Sequence, residues 1–184
     1  MKKLFIILGL GFSKLIFADL SGLYLGGGLG YGMQSLTALG NSSTAGTPAI
    51  KGFIGYQFMD WLGAETGYTY ISQASNWNNL GNPSAAIYDL AVLPGFSIPL
   101  TPVTIFGRIG VGAVASNLNS NILSQSFSSI RANFEWGAGI KVNIPTTRIF
   151  IRAEYINFSS VVNSNNSNLT VTPSTIMIDA AYVF

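Results

Sequence analysis

From residue 23 onward, apolar and polar side chains alternate with a period of two in eight segments: 23–32, 48–58, 61–72, 85–98, 103–114, 129–143, 148–158 and 173–184. That period puts successive side chains on opposite faces of an extended chain, so each segment is predicted to be a β-strand. Glycine and β-branched residues fill the segments and no 3.6-residue stripe persists, which argues against a helical bundle. The breaks between segments alternate in character. Met59–Asp60, Pro99–Pro102 and Ile144–Thr147 are tight and carry Pro or Asp, as hairpin turns do. Met33–Thr47, Gln73–Ser84, Ser116–Ser128 and Ser159–Thr172 are long and consist mostly of Ser, Thr, Asn, Gln and Gly.

The charges sort by face. Glu65 shares one face of its segment with Gly63, Gly67 and Thr69, while Leu62, Ala64, Tyr68 and Tyr70 take the other. Arg131, Glu135 and Lys141 lie together, opposite Ile130, Phe134, Trp136 and Ile140. Arg152 and Glu154 oppose Ile151, Ala153 and Tyr155, and Asp179 opposes Ile176, Ile178, Tyr182 and Phe184. The same count puts Lys51, Asp89 and Arg108 on the polar faces of their segments. Asp19, Asp60 and Arg148, the charges left over past residue 18, fall at the terminus or in short turns.

A Lys or Arg facing lipid at mid-bilayer costs ~2–4 kcal/mol, so ten charges on one face read as a membrane constraint. The predicted fold is all-β: an eight-stranded, antiparallel, up-and-down transmembrane β-barrel with its polar face inward. Short turns line one end and long loops the other, with both termini on the short-turn side. A soluble eight-stranded barrel is the structural rival, but it would hold its apolar face inside, the reverse of this pattern. Phe58, Phe96, Tyr182 and Phe184 fall outward near the short-turn rim, and Tyr31, Tyr68, Tyr70, Tyr88 and Tyr155 outward towards the loop rim. Two aromatic belts are expected at the two membrane interfaces.

Composition sharpens the picture. Of 184 residues, 48% are hydrophobic and only 9% charged, against about 25% charged in a typical soluble domain. The first 18 residues, MKKLFIILGLGFSKLIFA, combine a basic start at Lys2 and Lys3, an apolar run from Leu4 to Phe12 and a small residue, Ala18. They read as an export leader (1–18) cleaved after Ala18, ahead of a single barrel domain (19–184), although Ile16 departs from the ideal cleavage pattern. A membrane anchor is the alternative, but the run is shorter than the ~20 residues a helical span needs. Loss of the leader removes Lys2, Lys3 and Lys14 and turns the formal charge from +2 to −1. No basic patch then remains to suggest nucleic-acid binding.

The chain has no Cys and no His. That excludes a disulfide framework, Cys/His zinc sites, a thiol nucleophile and imidazole base catalysis. No metal or cofactor is expected, and no enzyme.

The Gly-rich opening LYLGGGLGYG (Leu23–Gly32), the eight alternating segments and the closing IMIDAAYVF ending at Phe184 resemble the small outer-membrane β-barrel family. That family includes the transmembrane domain of outer-membrane protein A and the opacity-like porins. The resemblance implies the outer membrane of a Gram-negative bacterium, with outer-membrane lipid and the barrel-assembly machinery as partners. It assigns Tyr182 and Phe184 to the assembly signal on the last strand. The peptidoglycan-binding domain of larger members does not follow Phe184, so no rigid tie to the cell wall is implied. Outer-membrane barrel enzymes acting on lipids resemble one another in needing a catalytic His, which this sequence lacks.

The inward charges Lys51, Arg108, Arg131, Lys141 and Arg152 stand against Glu65, Asp89, Glu135, Glu154 and Asp179, five against five. An eight-stranded barrel is about wide enough for side chains to fill, and buried charges must be paired. The simplest expectation is a salt-bridged plug, with water in gaps beside the inward glycines and Arg152–Asp179 as the best single pair. A narrow ion pore is the alternative, though a selective one would more naturally carry a ring of one sign. A carboxylate pair such as Glu135 and Glu154 could do acid–base chemistry elsewhere, but here bases flank both.

The four long breaks carry no Lys, Arg, Asp or Glu, and set Trp77, Leu80, Ile122, Leu123 and Phe127 among Asn and Ser. Such loops could contact a host surface or a neighbouring membrane protein, or simply be solvated. Four Asn-x-Ser/Thr triplets, at Asn41, Asn157, Asn165 and Asn168, read as chance in Asn/Ser-rich sequence. Gly26–Gly28 lacks a phosphate-cradle spacing and reads as small residues facing a crowded lumen. Pro94 cannot donate a ladder hydrogen bond, so a bulge or imperfect pairing is expected there.

Overall fold

The computed structural model describes residues 22–38, 41–72, 82–120, 125–159 and 170–184. The leader with Ala18, together with Trp77, Leu80, Ile122, Leu123, Asn165 and Asn168, lies outside them.

Eight strands form in chain order: β1 (Gly22–Ala38), β2 (Asn41–Met59), β3 (Leu62–Ile71), β4 (Asn82–Ser97), β5 (Val103–Ser120), β6 (Gln125–Asn143), β7 (Ile149–Phe158) and β8 (Thr170–Val183). Each pairs antiparallel with the next, and β1 pairs with β8 from Tyr24↔Val183 to Thr37↔Thr170, so the sheet closes on itself. Closure satisfies the backbone polar groups that a membrane cannot hydrate.

The strands run further towards the loop end than alternation predicted. β1 and β2 pair as far as Ala38↔Asn41, and β5 and β6 as far as Ser120↔Gln125, inside segments expected to be loops. Beyond the lipid band no hydrocarbon imposes an apolar outer face, so the apolar–polar alternation disappears while the ladder itself continues. Ser35 Oγ and Thr44 Oγ1, 3.1 Å apart across β1–β2, show the cross-strand hydroxyl contacts that replace apolar ones.

Pro94 interrupts pairing on one side. β4 and β5 pair at Val92↔Ile109 and again at Gly95↔Phe106, with Leu93 and Pro94 skipped and the register unchanged. On the other side Leu62↔Pro94 is retained. The missing N–H therefore costs ladder contacts without inserting a bulge; the register shift that does occur lies between Gln57 and Met59 on β2.

Two of the short turns share one design. Thr101 N donates to Ile98 O and Thr147 N to Ile144 O, 3.2 Å in each. The same threonines' hydroxyls cap those carbonyls at 3.0 and 2.9 Å and accept from Val103 N and Ile149 N. Each turn sets Pro before a residue in the left-handed region, Leu100 (φ 64) and Thr146 (φ 65), positions that favour Gly or Asn.

Alternate residues point inward as the charge count predicted. The outward face carries Leu25, Leu29, Ile54, Leu90, Ile109, Ile140 and Ile178 in an exposed aliphatic band. Exposed Phe58, Phe96, Tyr182 and Phe184 flank it at the short-turn rim, with Tyr31, Tyr68, Tyr70 and Tyr88 towards the loops; Tyr155 is half-buried against Trp136, with ring centroids 5.9 Å apart.

The lumen is layered. Nearest the loops sit Ile71, Ile87, Ile156, Phe158 and Met177 with Ala49, Ala85 and Val114, all buried. Nearest the short turns, Tyr24, Phe53, Phe150, Ala181 and Val183 form one cluster and Ala91, Leu93 and Phe106 another. The charges occupy the layer between. Protein fills the space beside some of the inward glycines. The Asp179 carboxylate lies over Gly28 and the Tyr24 ring over Gly55, where a Cβ would collide. Gly26 and Gly28 face this interior, while Gly27 between them faces outward.

Candidate functional site

The inward charges meet because seven strands deliver them at one level. Lys51 comes from β2, Glu65 from β3, Asp89 from β4, Arg108 from β5, Glu135 from β6, Arg152 and Glu154 from β7, and Asp179 from β8; every one is buried. Arg108 reaches three carboxylates: Nη1 to Glu65 Oε1 at 2.7 Å, Nη2 to Asp89 Oδ1 at 2.7 Å and Nε to Glu135 Oε1 at 2.9 Å. Arg152 sets Nη1 and Nη2 on the two oxygens of Glu65 at 2.6 and 3.0 Å, and Nε on Asp179 Oδ2 at 2.7 Å. Lys51 Nζ donates to Glu154 Oε1 and lies 3.1 Å from Glu65 Oε1.

Glu65 is thus the hub, touching Lys51, Arg108 and Arg152, and it also accepts from the Tyr24 hydroxyl at 3.4 Å. The Arg152 guanidinium carbon sits 4.1 Å from the Phe53 ring centroid, a cation–π contact that supports the network from below. Bidentate and charge-assisted bonds of this kind are what make buried ions tolerable in a low-dielectric interior.

The expected Arg152–Asp179 pair is present across β7–β8, where the two residues are direct register partners. Lys141 is the exception to the grouping. It lies below the network towards the short turns, donates to Gln57 Oε1 at 3.3 Å and sits 5.5 Å from the Phe150 ring. The side chain of Arg131 lies outside the described residues, although its backbone pairs with Val114.

Sequence reasoning missed the apolar layers and the aromatic supports Tyr24 and Phe53. The signal was available for all but Tyr24, whose strand carries no charge: the others share the inward parity of the charges on their own strands. Among the described residues, no group of three or more His, Cys, Asp or Glu is placed to hold a metal ion.

A closed eight-stranded barrel with a lipid-facing aliphatic band, two aromatic belts and a neutralised polar interior defines a transmembrane barrel of the outer-membrane class. The model of the outer membrane protein beta-barrel domain family matches residues 7–184, and the chain belongs to that family. Solved structures agree in fold. Neisserial surface protein A superposes with TM-score 0.66 at 12% identity, covering 89% of this chain and 98% of that one. Ail, the attachment invasion locus protein of Yersinia pestis, in a complex with the heparin analogue sucrose octasulfate, gives 0.57 at 21% identity, covering 89% and 99%. OprG of Pseudomonas aeruginosa gives 0.54 at 14% identity, covering 92% and 97%. Among curated proteins, none matches the sequence. The chain is an outer-membrane protein of the Gram-negative envelope.

Proposed function

We propose that the protein is a non-catalytic surface-interaction barrel whose lumen is a permanent plug and whose contacts are made by the loop-side hairpins. The observation that carries this reading is the enclosure of the charge network, among the described residues, between apolar clusters on the loop side and on the short-turn side. A pore-lining charge needs water beside it, whereas Glu65, Arg108 and Glu135 are each 1% exposed or less. The paired extensions of β1–β2 and β5–β6 supply rigid projections above the membrane in place of slack loops. Partner chemistry follows from their composition, which is neutral, rich in Asn and Ser, and punctuated by single apolar side chains. A host surface or a neighbouring membrane protein with matching hydrogen-bonding groups fits that chemistry.

The neighbour Ail was solved with a sulfated ligand. Lys and Arg give the strongest bonds to sulfate, and the four loop-side segments have neither. This chain is expected to pass through immobilised heparin at physiological salt without retention; salt-dependent retention would contradict the proposed surface chemistry. The direct test is adhesion of cells displaying the protein, with residues 36–43 and 117–128 each replaced by a tight turn. Loss of adhesion with an intact, heat-modifiable barrel is expected, and unchanged adhesion overturns the reading.

The leader 1–18 with cleavage at Ala18, and the roles of Tyr182 and Phe184 in assembly, belong to the same proposal. Their support is the outward exposure of both rings and their edge contact at 5.2 Å on the last strand. Deleting Phe184 should slow insertion in cells while leaving refolding in detergent intact.

A further inference from the structure

Two strands stop short at the loop end and leave gaps in the wall of the barrel. β3 ends at Ile71, while β2 and β4 on either side of it reach Asn41 and Asn82. β7 ends at Phe158, while β6 and β8 reach Gln125 and Thr170. In an antiparallel ladder the N–H and C=O of alternate residues point to alternate neighbours, so one rung fixes which residues face a gap. Ser72 N donates to Pro48 O, Gly95 N to Trp61 O, Val183 N to Arg148 O and Ser159 N to Phe134 O.

Counting by two from those rungs, Pro48 of β2 and Pro83 of β4 face the gap above β3. Pro173 of β8 faces the gap above β7. Proline has no N–H to offer, and it is one of the devices that keep open strand edges from pairing. The fourth border differs. On β6 the same count turns Ser126, Ser128, Ile130 and Ala132 towards the gap above β7, a run without proline. No described strand pairs with those four residues on that side, and their row runs unbroken into the Ser159–Phe134 rung. β2 also turns Ser42, Thr44 and Gly46 towards its gap, but Pro48 cuts that row off from the wall. Phe134 and Trp136 are exposed on the outward face of β6, so the open row begins where the aromatic belt marks the membrane surface.

We propose that this β6 edge is a docking strand that takes a neutral, extended segment of a partner protein. The added strand would bond to the N–H and C=O groups of Ser126, Ser128, Ile130 and Ala132, as in other cases of strand addition. Backbone groups recognise an extended backbone of any sequence. The one charge between Gln125 and Phe134 is Arg131, so no charged motif is demanded of the partner. The inference rests on the surface-interaction role proposed above and gives that role a mode of contact.

The test is hydrogen exchange, read by NMR, of the mature chain in lipid nanodiscs that hold one barrel each. Without a partner, the amides of Phe127, Ser129 and Arg131, which face β5, should exchange slowly, and those of Ser126, Ser128, Ile130 and Ala132 fast. The probe is a short blocked peptide of alternating Thr and Val, and its control is the same peptide N-methylated at every residue. Saturable slowing of the four fast amides by about tenfold or more with the probe, and none with the control, is expected. Ile130→Pro removes one donor from the open edge and no rung to β5. It should keep heat-modifiable mobility and bind the probe about tenfold more weakly, and Ser128→Pro should do the same.

Slow exchange of all four amides in the protein alone would mean that the chain covers its own edge, and would overturn the proposal. So would slowing only in discs that hold two barrels, equal slowing by the control, no slowing by the probe, or full binding by both folded proline variants. Cell adhesion separates this inference from the role beneath it. Adhesion lost when residues 117–128 are replaced but kept by Ile130→Pro would leave the surface role standing and remove strand addition alone. Probe binding without adhesion would remove the surface role and leave the docking edge.

Discussion

Glu65 shows most clearly how a single residue organises this interior. Its two oxygens serve three cations and the Tyr24 hydroxyl, so its removal leaves Arg152, Arg108 and Lys51 each short of a partner at once. Glu65→Gln keeps the volume and removes the charge. It should lower unfolding stability by about 3–5 kcal/mol, the range for breaking a buried ion pair from one side, measured as a shift in urea midpoint in bilayers. A change within error would mean that the network is redundant. At the turns the sign is opposite. Thr146 is an exposed β-branched residue at φ 65, a conformation that costs an ordinary L-residue roughly 1–2 kcal/mol. Thr146→Asn should therefore stabilise the barrel by about 0.5–1 kcal/mol, since Asn tolerates that region. The capping hydroxyl belongs to Thr147 and is untouched by this change.

The strands were legible where lipid imposes a pattern and illegible where it does not. Charge parity placed Lys51, Glu65, Asp89, Arg108, Glu135, Arg152, Glu154 and Asp179 in the lumen because a lipid-facing charge is so costly. Their partners were harder to read. Arg152–Asp179 could be foreseen from adjacent strands, but the Glu65–Arg152 contact spans β3 and β7 across the lumen. Such contacts depend on barrel tilt and stagger, which period-two counting does not contain. The inner apolar layers escaped notice for another reason: Ile71, Ile156 and Phe158 look like ordinary membrane residues until their parity is checked. The extensions of β1–β2 and β5–β6 had no hydrophobic signal at all. Their pairing makes a prediction that a slack loop would not: the ladder-bonded amides among Met33–Leu36 and Ser43–Gly46 should show slow hydrogen exchange. Fast, uniform exchange there would return these segments to the loops that composition suggested.

The molecule as a whole is a membrane-spanning wall around a core that is itself stratified: apolar, charged, apolar. Small and large residues interlock to fill it, as with Gly28 under Asp179 and Gly55 under Tyr24. Sealing at two levels is what separates a plug from a gate. Loss of one ion pair disturbs the middle layer but leaves Ile71, Ile87 and Phe158 closing the loop side. Conductance is thus expected to need damage in more than one layer. Single-channel recording of the refolded mature chain in a planar bilayer measures this most directly, with Arg152→Ala and the combined Arg152→Ala/Phe158→Ala variant alongside. A silent unmutated barrel, a quiet or flickering single variant and steady openings in the double variant are the predicted results. Stable openings of the unmutated protein, altered by Arg152→Ala alone, would contradict the plug and make the charged layer a conduction path.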